Sequence, residues 1–374
     1  MFSMQAKIQK LYLDDVCRIL VMSDIHANCS RLKRLLKKMN YQPNQDYLII
    51  NGDMIEKGPQ NIEVVDYLKH LSETTENVYI TMGNCDYLIT ELLEEENLIP
   101  YFQRRKDSYV NQLLATLDID LQVSEYTPKA LKELLLTHFS DELLWLADLP
   151  FAYETADHIF VHAGLPKYAT ELSTLDYQTM LTIREFYLKG HSMDQMVVVG
   201  HYPVRNYFLD EAPNDNILID ETRKIICIDG SNQLEVDGQL NGLIIHKDGD
   251  QYEYESYAVD EFPEQVAERD YLPEPEIISN VTFPYLYIDV IEQKEDFTLC
   301  HIQELEEDCW LKNEYINTTA ENPCLLRYHT VAKLAVNKGE RVKIVDNTCS
   351  GYTYIKKDGV LGWVPKTVFE VHIP

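Results

Sequence analysis

Short apolar runs that end in polar clusters recur along roughly the first two thirds of the chain. In chain order, the runs and their endings are RILVM with SDIHAN (18–28), DYLIIN with GD (46–53), ENVYITM with GNCD (76–86), HIFV with HAG (158–164), MVVV with GH (196–201) and KIICI with DG (224–230). Short apolar runs bounded by turn residues are typical of buried strands. The pattern therefore predicts at least six strands, each with polar side chains at its end.

Helical patterns separate several of these strands. After Ser30, which we expect to cap the helix, four apolar residues share one face of RLKRLLKKMN: Leu32, Leu35, Leu36 and Met39. A second helix is predicted from the shared face of Ile62, Val65, Leu68 and Leu71. Strands that alternate with helices predict a layered α/β domain. Polar groups at the strand ends of such a domain meet at one edge of the sheet, where ligands bind.

The remaining segments have other patterns. Residues 87–149 are predicted to be helical and carry no comparable strand-end clusters, so we interpret them as an insertion that forms a lid beside the site. KDGD at 247–250 is a hairpin signal. An acidic, proline-containing stretch begins at 260 and is predicted to be a linker. We therefore expect a catalytic domain over 1–259, a linker over 260–280 and a β region over 281–374.

Composition and charge narrow the possible functions. The 374 residues suggest two or three domains, and the net charge of −29 excludes binding to a nucleic-acid backbone through a basic surface. No signal peptide or membrane span is expected, because long apolar stretches are missing from the sequence. The eight cysteines form no CxxC pair, which argues against a zinc knuckle and a disulfide framework. We therefore predict a cytoplasmic protein.

Six strand-end residues have the chemistry of a metal site. Asp24 and His26 lie two positions apart, so on an extended segment both side chains face the same way. The other four follow separate strands, namely Asp53, Asn84, His162 and His201. Mixed carboxylate, imidazole and amide ligands suit Mn²⁺, Fe or Zn²⁺. Six ligands are too many for one catalytic metal and fit two metals that share a carboxylate, about 3.5–4 Å apart.

The motifs that contain these residues resemble those of a known family. SDIHAN, NGDMIEKGPQN, GNCD, FVHAGLP and VGHYPV, in this order, are similar to motifs of the calcineurin-like metallophosphoesterases. The similarity covers residues 18–255 and is greatest to the phosphoprotein phosphatase branch and its diadenosine-tetraphosphatase relatives. It implies a layered β-sandwich flanked by helices.

The resemblance also implies roles for the six residues. Asp24 and His26 would hold the first metal with Asp53 as the bridge, and Asn84, His162 and His201 would join Asp53 around the second metal. The implied reaction is attack of a metal-activated hydroxide on phosphorus, in line with the leaving group. Two divalent ions are the expected cofactors, with Mn²⁺ favoured over Fe or Zn²⁺.

Three positions depart from the phosphatase branch. Cys85 stands where the branch has the histidine that protonates the leaving group, Glu56 replaces the aspartate that orients this histidine, and Lys57 replaces a phosphate-binding arginine. A thiol is a weak hydrogen-bond donor, and loss of a general acid typically costs about 10²–10⁴-fold in rate. A lysine keeps the charge but lacks the bidentate fork. GNCD is similar to the motif of small phosphodiesterase members, whereas GHYP has the phosphatase form.

The candidate catalytic residues are Asp53, Asn84, Cys85, Asp86 and Glu56, and the candidate substrate-binding residues are Lys57, Arg184 and Asn84. Cys85 taken alone would more often be a buried space-filler, since free cysteines are among the most buried residues. We interpret it as occupying the leaving-group position without binding metal. Arg184 is either a phosphate clamp or a surface residue in an ion pair. Asp229 either lines the site or forms a turn.

The C-terminal β region contains two similar segments, 297–315 and 352–368, so a tandem repeat is possible. Residues 326–372 resemble bacterial SH3-like domains, and this resemblance implies a protein or peptide partner. A tryptophan in the position of Trp363 is more often part of the barrel core than a peptide-binding platform.

The function predicted from these observations is hydrolysis of a phosphate monoester, similar to that by protein serine/threonine phosphatases. One alternative is a phosphodiesterase or dinucleoside polyphosphate hydrolase, because a better leaving group needs less protonation. The other is a regulatory binding protein that retains its metals. No nucleic-acid or membrane partner is expected.

Overall fold

The computed structural model describes residues 7–123, 125–274, 280–281, 287–318, 323–326 and 329–370. The chain divides into two compact units. The first comprises Met1–Val204 and Asn216–Asp260, and the second comprises Arg205–Asp215 and Glu261–Pro374. The short segment Arg205–Asp215 thus leaves the predicted 1–259 domain. Its backbone pairs with the second unit, since the Asp215 amide donates to the Gly359 carbonyl and the Leu361 amide donates to the Pro213 carbonyl.

The first unit contains eleven strands among its described residues. They are β1 (Ile8–Lys10), β2 (Val16–Met22), β3 (Tyr47–Asn51), β4 (Val78–Thr81), β5 (Ala152–Glu154), β6 (His158–Val161), β7 (Met196–Val199), β8 (Leu218–Asp220), β9 (Ile225–Cys227), β10 (Leu240–Asp248) and β11 (Gln251–Val259). They form a six-stranded sheet in the order β1-β5-β6-β7-β9-β8 and a five-stranded sheet in the order β11-β10-β2-β3-β4. Both sheets mix parallel and antiparallel pairs.

The two sheets of the first unit share one apolar core. Ile19, Ile49 and Leu243 of the five-stranded sheet cluster with Phe160, Val198 and Ile226 of the six-stranded sheet, and all are fully buried. The short apolar runs that we interpreted as strands therefore form the two facing sheets of a sandwich. This confirms the predicted layered α/β fold. β10 and β11 form the predicted hairpin around KDGD.

Eight α-helices accompany these sheets in the described part of the first unit. They are α1 (Cys29–Lys38), α2 (Asn61–Thr74), α3 (Asn84–Leu93), α4 (Ile99–Arg104), α5 (Tyr109–Ala115), α6 (Pro128–Ala147), α7 (Tyr177–Thr182) and α8 (Phe186–Lys189). The cap of α1 is Asn28, whose side chain accepts from the Arg31 amide, so the predicted cap Ser30 is wrong. Ser30 lies inside the first turn and donates to Gln60 instead. Among the described helices, none combines the length and apolar character needed to cross a membrane.

The second unit is built from strands. They are β12 (Glu264–Val266), β13 (Asn280–Val281), β14 (Ile288–Gln293), β15 (Phe297–Ile302), β16 (Glu307–Lys312), β17 (Ile316–Asn317), β18 (Cys324–Leu325), β19 (His329–Thr330), β20 (Arg341–Asp346), β21 (Tyr352–Lys357) and β22 (Val360–Pro365). The larger sheets have the orders β12-β20-β21-β22 and β14-β15-β16.

The predicted linker is wrong over much of its length. Within 260–280, β12 pairs antiparallel with β20 and Ala267 is buried in an apolar cluster with Val342 and Val364. The apolar residues among the acidic ones of this stretch are therefore part of a core. Residues 275–279 of the predicted linker lie outside the described residues.

The two similar segments of the second unit are both hairpins, β15–β16 and β21–β22. Apolar residues from both hairpins share one cluster, in which Trp363 is fully buried and packs on Tyr354 and Tyr315. Trp363 is thus a core residue. The SH3-like identity of 326–372 stays a prediction, and residues 327–328 and 371–372 of that segment lie outside the described residues.

Candidate metal centre and active site

The predicted ligands lie where strands of both sheets end. Asp24 and His26 follow β2, and Asp53 follows the adjacent parallel strand β3. His162 and His201 follow β6 and β7, which are parallel neighbours in the other sheet. The buried Asn51 side chain joins the two layers at this edge, donating to the Val161 carbonyl at 2.9 Å and the Val198 carbonyl at 3.0 Å.

The backbone bends sharply at these positions. Asp24, His26, Asp53 and His201 all have positive φ angles, between 45° and 65°. Such conformations are uncommon for residues other than glycine and concentrate at functional sites. The expectation that Asp24 and His26 converge along an extended segment is therefore wrong. Their side chains meet because this loop curls back, with the Asp24 and His26 amides donating to the Gly52 and Asp53 carbonyls at 3.0 Å each.

The first predicted metal group is assembled. His26 Nε2 lies 3.7 Å from Asp24 Oδ1 and 3.8 Å from Asp53 Oδ2, and all three residues are at most 1% exposed.

The second predicted group lies on the other side of Asp53. His162 Nε2 is 3.4 Å from Asp53 Oδ1 and 3.1 Å from Asn84 Oδ1. His201 Nδ1 is 2.8 Å from the same Asn84 oxygen. The two carboxylate oxygens of Asp53 thus face different groups, as a bridging ligand requires.

The histidine hydrogen bonds fit metal binding. Nδ1 of His162 lies 3.0 Å from the Asn51 carbonyl and Nδ1 of His26 lies 3.4 Å from the Ile55 carbonyl. A carbonyl accepts the Nδ1 proton, so Nε2 of each ring presents its lone pair to the cluster. This is the usual arrangement behind a metal-ligating histidine. Together with the oxygen donors, these rings suit two divalent cations.

Burial sets the protonation of the rings and carboxylates in the absence of bound ions. Burial lowers the pKa of His26 to about 3, aided by the Lys57 ammonium, and burial also lowers the pKa of His201 to about 3. Burial alone would raise the pKa of Asp53, but His162 and His26 lower it below its ordinary value. His162 differs, because the Asp53 and Asp24 carboxylates outweigh burial and raise its pKa. Neutral imidazoles and an ionised bridge are the forms that ligate metals, so His162 would release a proton when it binds an ion.

Cys85 lies closer to the metal groups than predicted. Its amide donates to Asp53 Oδ1 at 2.8 Å, and its sulfur forms a cluster with ligand atoms of His26 and Asp53 in which all atoms lie within 4.8 Å of one another. Burial and the Asp53 carboxylate raise the pKa of the thiol well above its ordinary value. The structure therefore makes Cys85 a candidate seventh ligand, which differs from the expectation that it binds no metal.

Lys57 reaches into the first group. Its Nζ lies 3.3 Å from His26 Nε2. Burial opposes its charge, yet Cys85 and the Asp53 carboxylate raise the pKa of Lys57 above the ordinary value. The predicted phosphate-binding cation is therefore at the site and charged. Because it meets the nitrogen that faces the metal position, Lys57 and a bound cation repel one another.

Asp86 braces the loops that carry the ligands. Its Oδ1 accepts from the Met54 and Ile55 amides at 3.0 and 3.3 Å, and its Oδ2 accepts from Gly83 at 2.9 Å. A Cβ at Gly83 would collide with the Asp53 backbone and carboxylate, which explains the glycine before Asn84. These contacts position Asp53, whereas the prediction counted Asp86 among the reacting groups.

Glu56 contacts the helical insertion. Its Oε1 accepts from the Tyr109 amide at 2.9 Å and its Oε2 accepts from the Tyr101 hydroxyl at 3.2 Å. Its own amide donates to Asn61 Oδ1 at 2.6 Å. Glu56 thus fastens α4 and the start of α5 to the loop that carries Asp53 and Lys57. The sequence pattern gave no reason to select Tyr101.

Arg184 and Asp229 differ in placement. Arg184 is exposed, and no described side-chain contact joins it to the ligands. It lies two residues beyond Thr182, whose backbone hydrogen-bonds the His201 imidazole. Asp229 is fully buried and its Oδ1 accepts from the Ser231 amide at 2.8 Å, which is the turn geometry that the sequence favoured.

Asn232 is a positioning residue that the sequence analysis missed. Its side-chain amide donates to the carbonyls of Asp24 at 3.1 Å and Ile25 at 2.8 Å, and Arg31 donates to its oxygen at 2.8 Å. It therefore holds the curled loop after β2. The strand-end position of GSN after Asp229 was the available signal.

Comparison with known proteins bears on this geometry. The family model described as calcineurin-like phosphoesterase matches residues 17–205. The symmetrical bis(5'-nucleosyl)-tetraphosphatase of Buchnera aphidicola subsp. Baizongia pistaciae (strain Bp) is 33% identical over 99 residues, which cover 26% of this chain and 33% of that protein. The protein of the same name from Proteus mirabilis (strain HI4320) is 27% identical over 149 residues, which cover 39% and 44%.

The chain thus spans only 33% and 44% of the lengths of these two curated relatives. A solved protein serine/threonine phosphatase from Saccharomyces cerevisiae aligns over 69% of this chain and 86% of its own, with 12% identity and a TM-score of 0.41. The family model covers about half of the 374 residues, and its span contains all six predicted ligands. The chain belongs to the calcineurin-like phosphoesterase family.

Proposed function

We propose that the first unit hydrolyses a phosphate monoester with two divalent metal ions, of which Mn²⁺ is the first choice and Fe or Zn²⁺ the alternatives. Asp24, His26 and Asp53 would hold one ion, and Asn84, His162 and His201 would hold the other together with Asp53. The observation that carries the proposal is the placement of the two Asp53 oxygens toward different ligand groups.

The residues of the chain have separate roles in this proposal. When bound, the ions supply Lewis acidity to the phosphoryl group and to the attacking water. Lys57 offers a point charge to a phosphoryl oxygen, and as a lysine it holds that oxygen with little directional preference. Asp86 and Asn232 keep the ligand loops in place through backbone hydrogen bonds. Arg184 is proposed as a second phosphate contact only at the exposed rim.

A dinucleoside polyphosphate is the second candidate substrate. The similarity to proteins named symmetrical bis(5'-nucleosyl)-tetraphosphatase supports it. Cys85 supports it as well, because a nucleotide leaving group needs less protonation than an alcohol and a thiol is a poor donor.

The deciding experiment is steady-state hydrolysis by the Mn²⁺-loaded full chain of three substrates: p-nitrophenyl phosphate, its bis-ester and diadenosine tetraphosphate. A preference for the monoester that is lost in Asp53→Asn supports the first proposal. A preference for diadenosine tetraphosphate supports the second. Bound metal without turnover of any of the three would contradict both and favour a metal-retaining binding protein.

The second unit has a feature that suits a partner. A cavity of about 970 Å³ is lined by the half-buried aromatic side chains Phe297, Trp310 and Tyr352. Four acidic residues also line it, namely Asp210, Glu295, Asp296 and Glu307. Lys294 and Lys333 line the cavity too, and Lys294 covers one face of the Trp310 ring at 4.2 Å.

We infer that this cavity binds an extended basic segment of a partner protein. The acidic rim and aromatic floor complement lysine and arginine side chains. Titration of the full chain with hexa-arginine should change the fluorescence of the wild type, with the change lost in Trp310→Ala. No response to hexa-arginine, or an equal response to hexaglutamate, would contradict the assignment.

A further inference from the structure

In the phosphoesterase proposed above, the GNCD motif supplies no good proton donor for the leaving group. The Cys85 thiol is a weak hydrogen-bond donor, and the Asp86 carboxylate is occupied by three backbone amides. A poor leaving group such as an alkoxide or phenoxide needs a proton as its bond to phosphorus breaks. Another group must therefore supply that proton if monoesters are to be hydrolysed efficiently.

The phenol of Tyr101 is placed for this role. Tyr101 lies on α4, which the fully buried Phe102 anchors in the insertion. Its hydroxyl donates to Glu56 at 3.2 Å, and the second Glu56 oxygen is held by the Tyr109 amide at 2.9 Å. Glu56 directly precedes Lys57, whose ammonium reaches the first metal group. The hydroxyl is therefore held beside the loop that borders the ligands.

The surroundings of Tyr101 keep its phenol protonated. Burial raises the pKa of Tyr101 above its ordinary value, and the neighbouring Glu56 and Cys85 raise it further. The phenol is accordingly protonated at neutral pH.

We propose that Tyr101 is the general acid for the leaving group and that Glu56 positions it. The inference rests on the proposed function. As a water oxygen forms a bond to phosphorus, the bond to the leaving oxygen breaks and its electron pair stays on that oxygen. The leaving oxygen takes the Tyr101 hydroxyl proton. The attacking water loses a proton to solvent, and the phenolate regains one from solvent.

The test compares two aryl phosphate monoesters with different leaving groups. In Tyr101→Phe, kcat for phenyl phosphate should fall by about 10²-fold or more, whereas kcat for p-nitrophenyl phosphate should fall by less than about 10-fold. The solvent deuterium isotope effect on phenyl phosphate should change as well. Metal content, measured by elemental analysis, should stay at the wild-type value. Glu56→Gln should show the same leaving-group selectivity with a smaller loss.

Tyr126→Phe is the matched control, because Tyr126 is a half-buried tyrosine of the same insertion without a hydroxyl bond to Glu56. It should leave both rates within about twofold of the wild type, as expected of a substitution away from the site. Equal slowing of both esters in Tyr101→Phe, or no slowing of either, would overturn the role of Tyr101 alone. Inactivity of the wild type on both esters would overturn the proposed function and this inference with it.

Discussion

The two units bury charged groups in opposite ways. In the second unit, Arg205 donates to Asp215 through Nε at 2.7 Å and Nη2 at 2.5 Å, and Lys356 lies 3.2 Å from the same carboxylate. In the first unit, Asp24 and Asp53 meet imidazole nitrogens at 3.4–3.8 Å. No lysine or arginine of the described chain lies within ion-pair distance of either carboxylate.

This difference distinguishes a structural cluster from a ligand site. Charges taken out of water are costly unless they are paired and hydrogen-bonded. The Arg205–Asp215–Lys356 cluster supplies its own counter-charges, so it needs nothing from solution. The carboxylates of the first unit are supported by amide donors such as Cys85 and His201 and by imidazoles, without a paired lysine or arginine side chain among the described residues, so their oxygens suit metal ions.

Removing the shared carboxylate should have the largest effect. In Asp53→Asn, we expect hydrolysis of p-nitrophenyl phosphate to fall to the background of the metal-free protein and occupancy to fall at both metal sites. The reason is that the amide cannot supply an anionic oxygen to each ion. Activity and elemental analysis measure this. Retention of two metals and most of the rate would remove Asp53 from the bridge.

Removing the carboxylate of the Arg205–Asp215–Lys356 cluster should lower the stability of the second unit without affecting hydrolysis by the first. Asp215→Ala leaves two buried cations without their carboxylate, so we expect a loss of about 3–5 kcal/mol in the free energy of unfolding of the second unit. Urea denaturation followed by tryptophan fluorescence measures it, in a Trp145→Phe background that leaves Trp310 and Trp363 of the second unit as the reporters. The contrasting variant is Asp24→Asn, which should leave the metal-free stability unchanged or increase it. Similar losses in the two variants would contradict the comparison.

Adding metal ions should stabilise the first unit, because the ions would bind its two carboxylates that have no lysine or arginine partner in the described chain. With Mn²⁺ at 100 times its dissociation constant, we expect a gain of about 2.7 kcal/mol in the free energy of unfolding. Thermal or urea unfolding with Mn²⁺ and with EDTA measures it. The gain should persist in Asp215→Ala and disappear in Asp53→Asn. Persistence in both variants would locate the bound ion elsewhere.

Cys85→Ala should have the smallest effect. Six other donors remain, so we expect two metals at saturating Mn²⁺ and an affinity loss of at most about 10-fold. Elemental analysis after dialysis measures both. Loss of one equivalent, or a wild-type preference for Zn²⁺ that disappears in the variant, would show that the thiolate is a ligand.

Much of the site follows from local sequence. An apolar run that ends in a polar cluster indicates a strand end, and five such clusters in a fixed order contain all six residues that the fold brings together. The reason for the convergence of Asp24 and His26 was nevertheless wrong. Their positive φ angles depend on backbone hydrogen bonds to the loop after β3. The rule that alternate residues of a strand face the same side does not predict such hydrogen bonds.

By itself, the sequence determined which side chains end the strands, the layered α/β class and the apolar core positions, because burial imposes short-range periodicity on the chain. Only the tertiary structure decided which distant residues contact one another. Asn232 holds the Ile25 carbonyl across 207 positions, Tyr101 meets Glu56 across 45, and Arg205–Asp215 joins the second unit. These contacts are made by single polar groups without periodicity. Their positions become visible only once packing has brought distant segments together.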